Sequence, residues 1–180
     1  MSEKTEIEVK IEYDDHEGLI AILEEKGAEH IGNFNIADTY YDNGRMMASS
    51  HFMRIRIKDG SVCFTHKGPE IKTPGNIKHR PEVEFHISDL AAVTRIMSIL
   101  GVNPVVKINK DQKFYKYKNA AITFDKVEEL GNFVEVEADT EEIVKEVRTD
   151  LGLSNSPVCQ LGYVQMMIRK HQRRGRQHRR

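Results

Sequence analysis

The segment Glu6-Ile7-Glu8-Val9-Lys10-Ile11-Glu12 alternates ionic and apolar side chains over seven positions. A strand turns successive side chains to opposite faces, so Glu6, Glu8, Lys10 and Glu12 share one face and Ile7, Val9 and Ile11 the other. Neighbours on the ionic face lie roughly 7 Å apart along the strand. Two carboxylates at that spacing can ligate one hard cation or two adjacent ones, and the lysine next along suits an anion bridging to that cation. An amphipathic strand with a solvated polar face has the same pattern, so the rest of the chain decides between the two.

The alternation recurs. From His51 to Lys58 it puts Arg54, Arg56 and Lys58 on one face and Met53, Ile55 and Ile57 on the other, and Asp59-Gly60 then turns the chain into a return strand over Val62 to Lys67. Glu70 to His79 is rich in Pro, Gly and Lys and reads as a mobile loop. Arg80 to Phe85 alternates again, carrying Glu82 and Glu84. Val105 to Tyr117, Ala121 to Val127 and Phe133 to Glu137 complete the β-type runs, with a turn at Asn119-Ala120, and Asp38 to Asp42 adds a short one ahead of the Asn43-Gly44 turn. Helical spacing appears after Asp14-Asp15-His16, ending near Gly27. It returns after Ser88, the expected N-cap with Asp89 in the first turn, through Leu90, Val93, Ile96, Met97 and Leu100 to Gly101, and again after Thr140, with Ile143, Val144, Val147 and Leu151. Tyr163 to Arg169 is a last helical piece. The pairs Glu6/Glu8, Glu82/Glu84 and Glu135/Glu137 each stand just before a helix, and the order β-α-β-β-β followed by β-α-β-β-β-α hints at a duplicated unit.

Size and composition narrow the class. A chain of 180 residues, 39% hydrophobic and 31% charged, makes one globular domain, expected over 1–168. No apolar run approaches the ~20 residues of a membrane helix, and the start lacks the shape of a signal peptide. Cys63 and Cys159 stand far apart without metal-ligand spacing, which reads as two free thiols in a reducing cytoplasm. There is no zinc-type Cys/His cluster, no P-loop and no serine nucleophile elbow. Residues 169–180 carry seven Lys/Arg and no acid, which reads as a disordered basic tail. The other 168 hold 20 basic and 28 acidic residues, a net of −8. Such a body would need cations or a local cluster of Lys and Arg to bind a polyanion. Nucleic acid is not the expected partner, and a homodimer is compatible with the sequence.

About eight strands with short turns predict an α+β protein with a mostly antiparallel sheet, closed or nearly closed into an eight-stranded β-barrel, with helices packed outside. The apolar strand faces meet the helices, and the charged faces point away from them. On a flat sheet those charges lie in water; in a barrel they line a lumen wide enough for one small ligand. Charges inside a barrel cost several kcal/mol each unless paired or neutralised. Acids near both chain ends and bases in the middle are tolerable there if the lumen holds a polyanion with its divalent metal.

In order along the chain stand Glu6-x-Glu8-x-Lys10, Asp38-Thr39-Tyr40-Tyr41-Asp42, Arg54-x-Arg56, Lys67-Gly68-Pro69, Arg80 with Glu82, and Asp125 followed by Leu130-Gly131-Asn132-Phe133-Val134-Glu135-Val136-Glu137. In this order they resemble the CYTH superfamily, the triphosphate tunnel metalloenzymes, which include class IV adenylate cyclases and thiamine triphosphatases. The resemblance spans about Glu6 to Tyr163. It implies an eight-stranded tunnel and dependence on Mg²⁺ or Mn²⁺, with Glu6, Glu8, Glu135 and Glu137 as metal ligands and Asp125 near a second metal. Lys10, Arg54, Arg56, Lys67, Arg80 and Lys110 would grip the triphosphate, and Glu6, Glu8, Lys10 and Asp125 form the catalytic set. Two positions depart from the family pattern. Gln112 stands where Lys-x-Arg would place an arginine, and Gly162-Tyr163 replaces Ser-Tyr. The implied activity is class IV cyclase-like, ATP to cyclic AMP and pyrophosphate. Hydrolysis of inorganic, thiamine or nucleoside triphosphate is the alternative, and a non-catalytic triphosphate or polyphosphate binder is the rival of another class.

Overall fold

In the computed structural model, which describes residues 2–71, 73 and 76–177, the chain runs β1 (Ser2–Glu12), α1 (His16–Glu25), β2 (Glu29–Asp42), a 3-10 turn (Met47–Ser49), β3 (Phe52–Lys58), β4 (Ser61–Lys67) and β5 (Lys78–His86). It continues through α2 (Leu90–Ile99), β6 (Asn103–Tyr117), β7 (Ala120–Val127), β8 (Gly131–Ala138), α3 (Glu141–Asp150) and α4 (Tyr163–Gln177). The eight strands close into one barrel in the order β1-β5-β4-β3-β2-β6-β7-β8, every neighbouring pair antiparallel. Exchanging β1 with β5, β2 with β6, β3 with β7 and β4 with β8 leaves this ring unchanged, as a duplicated β-α-β-β-β unit requires.

The period-two pattern decides which face goes where. Val9 and Ile11 of β1, Ile122 and Phe124 of β7, and Val134 and Val136 of β8 point out of the barrel into a core shared with Leu19, Ile20 and Leu23 of α1 and Val144 and Val147 of α3. On the other side Tyr41, Ile55, Met97 and Val102 form a smaller core beneath α2. Local chemistry fixes the helix starts: Asp15, Asp89 and Thr140 each accept from a backbone N–H three residues on. Asp89, rather than the expected Ser88, therefore caps α2. Both residues of the Asp59-Gly60 turn have positive φ, as the hairpin requires, and so do Lys118 and Asn119, which places the next turn one residue earlier than expected.

Three further differences matter for the site. Strand β2 begins at Glu29 and is 14 residues long, far longer than the expected 38–42. Its first half has no clean alternation, because the pairing with β6 shifts between His30 and Gly32 and much of it faces solvent. A Cβ on Gly32 would meet the Phe34 ring at 2.9 Å, so the irregularity needs glycine there. Strand β5 begins at Lys78, inside the segment read as a loop. Finally, α4 runs to Gln177 where a disordered tail was expected from Arg169; residues 178–180 lie outside those described. Val164 and Met167 seat α4 on one end of the barrel, against Tyr40, Phe52, Ile108 and Phe133. That packing supplies the costly helical nucleus, Lys170 and Arg174 both reach Glu129, and basic residues in the final turns suit the negative end of the helix dipole. Among the described residues no helix is long and apolar enough to cross a membrane.

Candidate active site

With the apolar faces turned out, the ionic faces line a cavity of about 290 Å³ along the barrel axis, bounded at one end by the first residues of α4. Glu6, Glu8, Lys10, Arg54, Arg56, Lys67, Arg80, Lys110, Glu135 and Glu137 all border it. Ten of the eleven residues singled out in the sequence thus meet in one enclosure, drawn from β1, β3, β4, β5, β6 and β8. The eleventh, Asp125, is fully buried and does not border the cavity.

Register builds two walls. Strands β1 and β8 pair with Glu8 opposite Glu137 and Lys10 opposite Glu135, which gathers four carboxylates on adjacent strands. Strands β3 and β4 set Arg54 opposite Thr65 and Phe52 opposite Lys67, and carry most of the basic wall. Four cations of that wall, Arg54, Arg56, Lys67 and Arg80, each have a direct partner. Asp38 takes both Nε and Nη2 of Arg56 at 2.7 Å, and an Nη1 of Arg54 lies 3.9 Å from it. Lys67 Nζ reaches across to Glu6 at 2.5 Å and to Glu82 at 2.9 Å. Arg80 donates to the carbonyls of Ser50 and Gly68 and lies over the Phe52 ring. These pairings set the protonation states. Burial opposes charge on Asp38, yet Arg56 and Arg54 hold its carboxyl well below the usual range. Burial likewise works against ionised Glu6 and is outweighed by Lys67.

The acidic wall is satisfied unevenly. Glu135 pairs with Lys10 at 3.0 Å, and Lys10 with Lys110 holds its carboxyl low against the cost of burial. Glu137 pairs with Lys4 at 2.5 Å. Glu8 has no cation in pairing distance among the described residues; burial, followed by the Glu6 and Glu135 carboxylates, pushes its pKa up to about 7. Burial and Glu6 also raise Glu137. Glu8 is therefore a carboxylate short of positive charge. The donor set is all oxygen, as Mg²⁺ and Mn²⁺ prefer. Among the described residues no three acidic, His or Cys side chains already converge as a metal centre, because Glu6, Glu135 and Glu137 are each turned toward a lysine. The residues fit a divalent ion once those carboxylates exchange a lysine for it.

Asp125, expected near a second metal, is set back from the cavity and is held by three donors. Its carboxylate accepts from Lys110 Nζ at 2.5 Å, Gln112 Nε2 at 2.8 Å and the Tyr163 hydroxyl at 3.0 Å. Three donors around a fully buried carboxylate hold it as an anchor for the side chains that do border the cavity. Gln112 is one of them, so the position where an arginine was expected does face the lumen. Glu82 borders it too and pairs with Lys67, while Glu84 accepts from Thr65 at 2.8 Å.

Several residues of the site were not singled out from the sequence. Asp38, buried behind Arg56, and Tyr163, which borders the cavity, stood inside quoted motifs without a role, although Tyr163 lies 3.8 Å below Lys10 Nζ and closes the α4 end. Lys78 extends the alternation Lys78-x-Arg80-x-Glu82-x-Glu84 by one step, a signal hidden by the Gly- and Pro-containing segment before it.

With this geometry in place, comparison with known proteins is direct. The model of the CYTH domain matches residues 4–155. The chain belongs to the CYTH family. It is 27% identical over 172 residues to the protein named "Putative adenylate cyclase MJ0240" of Methanocaldococcus jannaschii, covering 89% of this chain and 97% of that one. Among solved structures, the PH1819 protein of Pyrococcus horikoshii superposes with a TM-score of 0.78 at 27% identity, covering 92% of this chain and 99% of that one. The Hippeastrum protein "Putative adenylyl cyclase HpAC1", described as having a dominant triphosphatase activity, shares the fold with a TM-score of 0.62 at 16% identity, over 87% of this chain and 91% of its own. The expected family and the closed eight-stranded CYTH tunnel both hold.

Proposed function

We propose that this CYTH protein is a divalent-metal-dependent enzyme acting on a nucleoside or organic triphosphate, converting ATP to cyclic AMP and pyrophosphate. The observation that carries this reading is the enclosed cavity with a carboxylate wall on β1 and β8 facing a wall of Arg and Lys on β3 and β4. A polyanion with a bound cation complements both walls, and either alone leaves one wall uncompensated.

Glu6, Glu8, Glu135 and Glu137 would hold the cation, Mg²⁺ or Mn²⁺, which when bound drains charge from the reacting phosphorus. The side chains supply everything else. Arg54 and Arg56 present planar, bidentate donors to phosphate oxygens, and Lys10, Lys67, Arg80 and Lys110 act as further positive contacts. They fix the phosphate chain and stabilise charge developing on the leaving group. Asp125 works through Lys110 and Gln112 as a positioning residue. In the cyclase reaction the ribose 3′ hydroxyl gives up its proton to solvent, its oxygen bonds to the α-phosphorus, the bond from that phosphorus to the bridging oxygen breaks, and pyrophosphate leaves. The 27% identical relative named for adenylate cyclase supports this branch, and two free thiols suit a cytoplasmic setting.

Hydrolysis at the terminal phosphorus uses the same clamp. A volume of about 290 Å³ favours it, because this is at or below the low end of the ~300–1,000 Å³ typical of organic-ligand sites and suits a phosphate chain alone. Purified protein offered ATP, tripolyphosphate and thiamine triphosphate with Mg²⁺ or Mn²⁺ separates the readings. Cyclic AMP from ATP is the expected product, phosphate release alone makes the protein a hydrolase, and binding without turnover makes it a binder.

A further inference from the structure

Most cations of the tunnel are already engaged. Lys67, Arg56, Lys10, Lys4 and Lys110 each sit within 3.0 Å of a carboxylate oxygen. An incoming phosphate must compete with that carboxylate, or wait for another cation to take the carboxylate over. Lys78 differs. It borders the cavity and is only 5% exposed, yet among the described residues it makes no hydrogen bond, ion pair or ring contact. On β5 it stands opposite Glu8 of β1 and two residues before Arg80 on the same inward face. A buried ammonium is normally paired, since desolvating an uncompensated charge is costly. Among the described residues this one has no direct partner: Glu8, Glu135 and Glu70 attract it only from beyond pairing distance, and burial together with the Lys10 charge lowers its pKa, so it stands short of an anion where a polyanion would lie.

We infer that Lys78 is a metal-independent anchor for the phosphate chain, the charge that captures the anion before the carboxylate-paired cations are freed. The inference rests on the triphosphate reading of the cavity and adds to it an order of events. The phosphate chain docks on Lys78 with the ion pairs intact, and the remaining basic side chains close on it as the carboxylates exchange their lysines for the cation. Lys78 also supplies a charge to a lumen that has Gln112 in place of an arginine.

The experiment is tripolyphosphate binding by calorimetry, first in excess EDTA and then with Mg²⁺, for wild type, Lys78→Gln and Lys78→Arg. Wild type is expected to bind in EDTA. Lys78→Gln should weaken that binding about tenfold or more, the scale of one charge-assisted contact, and lower its salt dependence, while Lys78→Arg stays within about threefold. Unchanged melting temperatures for the variants keep the comparison about binding. Equal affinity of wild type and Lys78→Gln in EDTA overturns the inference, as does wild-type binding only when Mg²⁺ is present; both leave the triphosphate reading standing. Absence of wild-type binding under either condition removes that reading itself.

Discussion

Strands β3 and β4 turn Arg54, Arg56 and Lys67 into the tunnel; β7 and β8, their counterparts in the duplicated plan, turn in Thr123, Glu135 and Glu137, with Asp125 buried behind the lining. The backbone plan is repeated and the chemistry is opposite. A symmetric lumen of either sign would repel itself, whereas walls of opposite sign neutralise one another, as Lys67 of β4 does with Glu6 of β1 over the intervening β5. The two walls also differ in how far the protein satisfies them. The arginines have Asp38 and carbonyl partners, so the basic wall is held in place before any ligand arrives. Among the described residues the acidic wall keeps Glu8 with no cation in pairing distance, Lys10 and Lys67 acting on it only from farther away. The basic wall is thus built for shape, and the acidic wall is poised for exchange.

Breaking the first half of this contrast should have the largest effect. Asp38 is 2% exposed and takes both Arg56 donors. Asp38→Ala leaves the buried Arg54 and the partly buried Arg56 without their shared acid, and we expect a loss of about 3–5 kcal/mol in urea unfolding. A loss below about 1 kcal/mol would mean that the arginines find other partners. Glu8→Gln tests the second half. It should lower metal-dependent turnover by about a hundredfold or more, and at pH 8 without metal it should raise thermal stability, because it deletes a repelled charge. Full activity in this variant would remove Glu8 from the metal site.

The pH dependence sharpens the same point. The Glu8 carboxyl is raised from 4.5 to about 7 in the folded protein, so the folded state holds that proton more tightly than the unfolded one. The stabilisation is fully present below pH 4.5 and is lost as pH rises through 7. Since Glu8 is partly exposed, we expect about 1–2 kcal/mol between pH 5 and 8 after screening. The difference between wild type and Glu8→Gln, measured by denaturation in EDTA, isolates it. Added Mn²⁺ should cancel the loss in wild type alone.

Much of this was legible because β1, β3 and β8 turn mainly ionic side chains inward and mainly apolar ones outward. That is why β1, β3 and β8 could be read residue by residue, and why β2 could not. From Glu29 to Asn35 both faces are mixed, with Ile31 among Glu29, Asn33 and Asn35 on one and Phe34 beside His30 on the other, and the register shift between His30 and Gly32 breaks the period. Pairing was beyond reach for another reason. Lys67 meets Glu6 across 61 residues of chain, and which lysine takes which glutamate depends on barrel register. That Lys78 has no direct acid partner among the described residues follows from the same cause, since a cavity lysine is left over only once its neighbours have paired. Asp125 was placed on the acidic wall by its motif, and only the three donors around it reveal an anchor.

The smallest expected effect is the most specific to this chain. Gln112 Nε2 donates to Asp125 Oδ1 at 2.8 Å while the residue is 7% exposed at the cavity edge. It keeps the hydrogen bond that an arginine would make with Asp125 and omits the charge. In Gln112→Arg the guanidinium can retain the Asp125 contact through one nitrogen and present others to the lumen, beside Lys110 and Lys58. Those like charges offset part of the gain, so triphosphate affinity should tighten only about two- to fivefold, or roughly 0.5–1 kcal/mol, with a steeper salt dependence. Titration of tripolyphosphate at two ionic strengths reads both. An unchanged affinity with an unchanged salt slope would mean that Asp125 holds the whole guanidinium. The contrast between the walls would then end at Lys110, with β6 contributing one charge to the tunnel instead of two.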